Sequence, residues 1–118
     1  GKNEYLKVDQ FISKRDLFVQ FKESDFTEAY LVDKDNGLRG KVKVNSILNN
    51  QKTFKAFEPL KILDSSTVSE AIHKASNFVG GSIPVVDNKN TLLGVISEAD
   101  LFSSYLSVQS TISKIEKD

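Results

Sequence analysis

Toward its C-terminal end the chain reads Gly94-Val95-Ile96-Ser97-Glu98-Ala99-Asp100, an apolar run that closes on a hydroxyl and, three residues later, a carboxylate. Free backbone N–H groups at a helix start favour a phosphate, and a serine hydroxyl can join them. An ionised carboxylate can accept hydrogen bonds from two neighbouring hydroxyls. The same two residues serve equally well as the N-cap and the acidic first-turn residue of an ordinary helix. Catalytic chemistry is harder to assemble. Ser97, His73 and Asp100 could be drawn as a triad, but no Gly-x-Ser-x-Gly elbow is present and His73 falls mid-helix among polar neighbours. The Gly80-Gly81 pair lacks the Lys and Ser/Thr of a phosphate loop and reads as a helix stop. The expectation is that this chain is not an enzyme.

Composition narrows the field further. Sixteen Lys and Arg balance sixteen Asp and Glu, and the basic residues are scattered, so the charge footprint of a nucleic-acid binder is missing. There is no cysteine and one histidine, which removes thiolate chemistry and leaves a metal site with carboxylates almost alone. No apolar run has the length of a bilayer span, and no signal peptide precedes the first strand. With no methionine and Gly1 at its start, the chain reads as a piece of a longer protein.

The elements that must position Ser97 and Asp100 occur twice. Leu31 to Gly40 parallels Val85 to Gly94, with Asp33 and Asp87, and Gly40 and Gly94, each 54 residues apart. Upstream, Ser24-Asp25-Phe26 echoes Ser76-Asn77-Phe78 at a spacing of 52, which implies a two-residue insertion in the second copy. Doubling at this period means two copies of one supersecondary unit. Each reads helix, strand, turn, strand, helix. Thr67-Val68-Ser69-Glu70 has the form of a capping box, and Val68, Ala71, Ile72 and Ala75 follow at helical spacing. Ser82 to Val86 is a strand whose Pro84 suits an edge or a bulge, and Leu92 to Ile96 returns after a polar turn. A helix from about Glu98 to Ser107 follows. In the first copy Leu17, Phe18 and Phe21 mark the helix, Ala29 to Val32 the strand and Asp33 to Gly37 the turn. Asn49 to Lys55 is a polar connector, and Phe57 to Leu63 is the strand entering the second copy.

That order, with Ile83-Pro84-Val85-Val86-Asp87 and the Gly94 to Asp100 segment, resembles the CBS motif, named after cystathionine β-synthase. The resemblance covers nearly the whole chain as two copies. It implies an α/β (α+β) fold in which two motifs pack as a pseudo-twofold pair, small sheets flanked by helices. Residues 1–55 would form the first motif with its connector, and 56–118 the second. It further implies a cytoplasmic regulatory module, part of a longer polypeptide, membrane-bound or not, that senses AMP, ADP or ATP and needs no catalytic cofactor. Asp100-Leu101 with Tyr105, and the compact first copy, look like the cytoplasmic region of ClC-type chloride channels and transporters. A homodimer built on Leu101, Phe102, Tyr105 and Leu106 is expected, with no nucleic-acid partner. The alternative is a structural dimerisation module without a ligand.

The resemblance also assigns residues. Asp100 would hold the ribose and Ser97 the phosphates, while Ile83, Pro84 and Ile62 would form an apolar slot for the base. Ordinary core packing is the competing account of Ile62 and Ile83. The first copy departs from the pattern, with Lys43 in place of the Ser/Thr and Ser46 in place of the Asp, so two equivalent sites are not expected. Lys41 and Lys43 either neutralise phosphate or form a solvated face, and Tyr30, at the place of Pro84, either stacks on an adenine or covers a sheet edge.

Overall fold

The computed structural model describes residues 4–76, 78 and 81–117, without the side chains at 113 and 115–117. Asn77 of the upstream echo, and Gly80 of the glycine pair, lie outside the described residues. In the first unit β1 (Leu6–Asp9), α1 (Lys14–Ser24), β2 (Glu28–Val32) and β3 (Leu38–Lys43) follow in order, then a single 3-10 turn, Val44–Ile47. The second unit repeats them as β4 (Ile62–Leu63), α2 (Val68–Lys74), β5 (Ser82–Val86) and β6 (Leu92–Ser97), ending in α3 (Glu98–Lys117). Each unit holds one three-stranded sheet, β1-β2-β3 or β4-β5-β6, whose first two strands are parallel and last two antiparallel.

The 54-residue spacing holds at every register point. Glu28 faces Lys43 as Ser82 faces Ser97, Tyr30 faces Lys41 as Pro84 faces Val95, and a bulge falls at Leu31/Val32 as at Val85/Val86. Helix starts obey it too. Ser13 caps α1 by accepting from the Asp16 N–H, and Thr67 caps α2 with the full capping box. With matching caps before the crossover and matching strands after it, no net insertion exists in the second copy. The two-residue offset has another origin: α1 runs for 11 residues and α2 for seven, and Phe78 turns in against the second unit's core.

Strand alternation sends successive side chains to opposite faces, and both faces of each sheet are buried. In the first unit Leu6, Val8, Ala29, Leu31 and Val42 pack under α1 with Leu17, Phe21 and Ile47. In the second, Ile62 and Ile83 pack with Ala71, Ala75 and Leu101. Equivalent positions exchange bulk. Phe21 and Leu17 on α1 stand over Ala29, whereas Ala71 on α2 and Ala75, its C-cap residue, stand over Ile83. The opposite faces meet each other, with Tyr30, Val32, Leu38, Val86 and Leu92 forming the core shared by the two sheets.

The hairpin turns tie that shared layer together. Asp33 accepts N–H bonds from Asp35 and Gly37, and Asp87 from Lys89 and Thr91. Asn36 and Asn90 adopt left-handed backbone, φ 65° and 66°, which Asn tolerates better than most residues. Each reaches into the other unit: Asn36 Nδ2 donates to the Leu92 carbonyl and Asn90 Nδ2 to the Leu38 carbonyl, both at 2.8 Å.

Three expectations need correction. Ser82–Val86 lies at the centre of its sheet and not at an edge. Pro84 is accommodated because the β4 ladder begins only at Ile62 opposite Val85, while β1 pairs from Leu6 opposite Ala29. Phe57 to Leu63 is accordingly a strand only at Ile62–Leu63, and Phe57 instead bridges to the outer edge of β3 at Lys41. The last helix continues past Ser107 to Lys117.

The bulk exchange is testable by a mutant cycle. Phe21→Ala should cost about 3–5 kcal/mol by opening a cavity, and Ala29→Ile about 1–3 kcal/mol by overpacking. The double variant, which copies the second unit's solution, should cost clearly less than the sum in urea unfolding. Strict additivity would show that the two positions do not share space.

Candidate functional site

Pseudo-twofold symmetry brings the starts of β2 and β5 together, so Glu28 and its equivalent Ser82 touch. The Ser82 N–H and hydroxyl both donate to Glu28 Oε1, at 3.1 and 3.0 Å. Lys41, on β3, lies between the sheets with its side chain 3% exposed. Its ammonium pairs with Glu28 Oε2 at 3.0 Å and donates to the Ser82 carbonyl at 2.7 Å. The rings of Tyr30 and Phe78 cover it, with centroids 5.2 and 5.8 Å away. The Tyr30 hydroxyl meets the Ser82 carbonyl and hydroxyl, and Tyr5 stands edge-on to the Tyr30 ring.

Neither Lys41 nor Tyr30 therefore belongs to a solvated face or edge. Tyr30 is on a central strand and 1% exposed, and burial holds its phenol above the ordinary value. Burial pulls the Lys41 ammonium below its ordinary value, opposed by the Glu28 carboxylate beside it. For Glu28 burial works upward, but the hydrogen bond from Lys41 and the donors of Ser82 outweigh it and hold the carboxyl below its ordinary value. One signal for this cluster lay in the repeat itself: Lys41 stands where the second copy has Val95, a position whose partner layer is apolar. Gly81 completes the corner, since its φ of 71° and its closeness to the Glu28 carboxylate exclude a side chain.

The expected ligand residues separate onto two faces. Ile62 and Ile83 pack beneath α2 and α3 with Ala71, Ala75 and Leu101, Ile83 being wholly buried. Pro84, Val95 and Ser97 fall by alternation on the face toward the first sheet. Ser97 ends β6 and its Oγ accepts from the Asp100 N–H at 3.0 Å, capping α3. Its own proton is left to offer elsewhere. Asp100 is exposed in the first turn of α3. Beside Val95 opens a cleft of about 200 Å³ bordered by Tyr5, Phe26, Glu28, Tyr30 and Ser82. The equivalent place in the first unit is filled by the Lys41 side chain. The first unit's own motif has no cap: Lys43 makes no capping bond, and Ser46 Oγ donates to the Lys43 carbonyl at 2.7 Å. Without a capped start the chain makes one 3-10 turn and leaves.

Residues 56–107 match the CBS domain family. No curated relative matches this chain by sequence. Among solved structures, a CBS domain pair/ACT domain protein from Thermotoga maritima is similar with a TM-score of 0.73 and 15% identity, over 90% of this chain and 92% of that one. The cytosolic domain of the Mg2+ channel MgtE in complex with ATP is similar with a TM-score of 0.73 and 14% identity, over 86% of this chain. This chain spans 45% of that domain's length. A CBS domain pair in complex with 5′-methylthioadenosine and S-adenosyl-L-methionine reaches 0.66 at 17% identity, covering 88% of this chain and 90% of that one. What is shared at such identities is the fold.

The Glu28–Lys41 pair should appear in the acid limb of stability. A carboxyl held below its ordinary value stabilises fully above that value, and loses its contribution as pH falls through the lowered one. Glu28→Gln should lose about 3 kcal/mol near neutrality, because it leaves Lys41 buried without its partner. Between about pH 5 and pH 3 its urea midpoint should then fall less steeply than that of the parent. Parallel curves would show that Glu28 gains nothing from Lys41.

Proposed function

We propose, starting from a chain that is a CBS-domain pair by fold and carries the CBS family match over residues 56–107, that it is a regulatory module binding one adenine nucleotide beside the second motif. The observation that carries this reading is the α3 start. The Ser97 hydroxyl, already accepting from the Asp100 N–H, has a proton to donate to a phosphate oxygen, and Asp100 presents a free-standing carboxylate to a ribose diol three residues on. The adenine enters the cleft between Val95 and the Tyr5 and Phe26 rings. At about 200 Å³ this cleft is below the ~300 Å³ of small ligand pockets, so binding moves those rings outward. Pro84 backs the slot from its strand, and Ile62 and Ile83 support it from beneath. The first motif contributes no second site, since Lys43 and Ser46 replace the capping hydroxyl and the carboxylate.

A nucleotide between the sheets alters how they sit on each other, which is how such a module regulates a chloride channel or other transporter, or an enzyme, attached to the same polypeptide. The structures with ATP and with S-adenosyl-L-methionine support an adenosine-containing ligand, and the MgtE cytosolic domain supports a transporter context. Among the described residues no helix is long and apolar enough to cross a membrane. The module sits on the cytoplasmic side, a reading supported by the likeness to the cytosolic domain of MgtE. The chain works as a homodimer and performs no catalysis.

A second reading has an observation of its own. Glu28, Tyr30, Lys41 and Ser82 fill the junction between the sheets with groups that satisfy one another, as a structural pairing module without ligand would require. Calorimetric titration with AMP, ADP and ATP separates the two. Binding is expected, weakened roughly ten- to a hundredfold by Asp100→Ala, for the ~1.5–3 kcal/mol of a charge-assisted hydrogen bond. Ser46→Ala should leave it unchanged. No heat and no thermal shift at millimolar nucleotide would establish the structural reading. Binding indifferent to Asp100→Ala would place the ligand elsewhere.

A further inference from the structure

The internal symmetry exposes a missing piece. Leu101, in the first turn of α3, and Ile47, in the 3-10 turn after β3, are equivalent residues, and each is buried in its own unit's core. Past this point the units diverge. The second continues as a 20-residue helix lying along α2, whereas the first leaves after Leu48. The Lys14 ammonium holds the departing chain by the carbonyls of Asn49 and Gln51. The flank of α1 that a long helix would cover is therefore bare. Phe18 is 47% exposed and Leu48 61%, while Ile72, the equivalent of Phe18, is half-buried against the second core. A groove of about 760 Å³ runs there, lined by Arg15, Phe18, Val19, Ile47 and Leu48 among others.

The opposite mismatch occurs at the other end of the molecule. Leu101, Tyr105, Val108 and Ile112 follow one another on a single face of α3, spaced four, three and four residues apart. Leu101 is buried on its own unit and Tyr105 half-buried, but the helix is about 30 Å long and runs past the body it packs on. The same apolar face then continues into solvent, with Val108 and Ile112 each 43% exposed. One unit lacks a covering helix, and the other has more helix than it can cover.

We infer that the distal half of α3, with Val108 and Ile112, seats in the α1 groove of a second copy of this chain, and that the second copy returns the contact. The occupant follows from the repeat: the surface is shaped by a unit whose equivalent is covered by α3, and α3 carries that covering face onward unpartnered. A reciprocal exchange uses both surfaces twice and closes as a twofold dimer, leaving no free groove to propagate a filament. This rests on the homodimer of the proposed function and specifies how it forms. It leaves the nucleotide cleft, on the inner face of the sheets, open.

The chain has no cysteine, so two single variants report the contact without background. Phe18→Cys and Ile112→Cys chains are mixed and oxidised, and the expected product is the 18–112 heterodisulfide, in excess over 18–18 and 112–112 species. Sedimentation at tens of micromolar should show a dimer for the parent and a monomer for either Phe18→Asp or Ile112→Asp, with circular dichroism unchanged because both positions are exposed. Mixing these two variants should restore a dimer, since one groove and one complementary helix remain intact. A strict monomer for the parent would overturn the homodimer and this contact together. A dimer that cross-links 112 to 112, or that survives Phe18→Asp and Leu48→Asp, would overturn the groove contact alone.

Discussion

Each three-stranded sheet carries apolar side chains on both faces, and its helices cover only one of them. The uncovered face of one sheet must find that of the other, and everything else in the molecule depends on this contact. Tyr30, Val32 and Leu38 from the first copy close on Val86, Leu92 and Val95 from the second, and at the hairpins Asn36 and Asn90 exchange side-chain hydrogen bonds across the pair. A single copy would leave that layer in water, which is why the motif works in twos. The contact also sets the site, because a cleft between the motifs exists only once the inner faces have met.

Symmetry relates the backbones, and departures from it make the chemistry. Two equivalent residues meeting on a twofold axis would be alike in a true dimer. Here they are Glu28 and Ser82, an acceptor and a donor, which can bond each other as two glutamates could not. The lysine drawn in beside them offsets the buried carboxylate and fills one of the two equivalent clefts. At the strand ends the same divergence gives Ser97 and Asp100 on one side and Lys43 and Ser46 on the other. One side caps a long helix; the other makes a turn and releases the chain into the connector. The asymmetry that sets the two strand ends apart also leaves one helix too long and one groove uncovered.

The core shows how far the copies drifted while the backbone stayed in register. Bulk lost on a helix reappears on the strand beneath it, as in Ala75 over Ile83 where the first copy has Phe21 over Ala29. Close packing requires total volume to be kept and is indifferent to which residue supplies it. Comparing the copies residue by residue therefore understates their likeness in the apolar interior, and the polar turns, where Asp33 and Asp87 do identical work, carry the repeat most visibly.

The sequence by itself determined the doubling, the strand and turn positions, the capped helix starts and the Ser97 and Asp100 pair, since these follow from periodicity and from side chains acting on backbone a few residues away. Tertiary structure decided what depended on distant neighbours. Ser82–Val86 became a central strand despite Pro84 because its parallel partner pairs only beyond that residue. Ile62 and Ile83 turned toward the helices, and away from the inner face that Ser97 shares, because strand register assigns faces. Lys41 looked solvated beside Lys43 on the same strand. It is buried because the fold brings Glu28 and Tyr30 of β2 together with Phe78 and Ser82, about 50 residues further along the chain, within reach of one ammonium, and only that assembly makes a charge tolerable between two sheets.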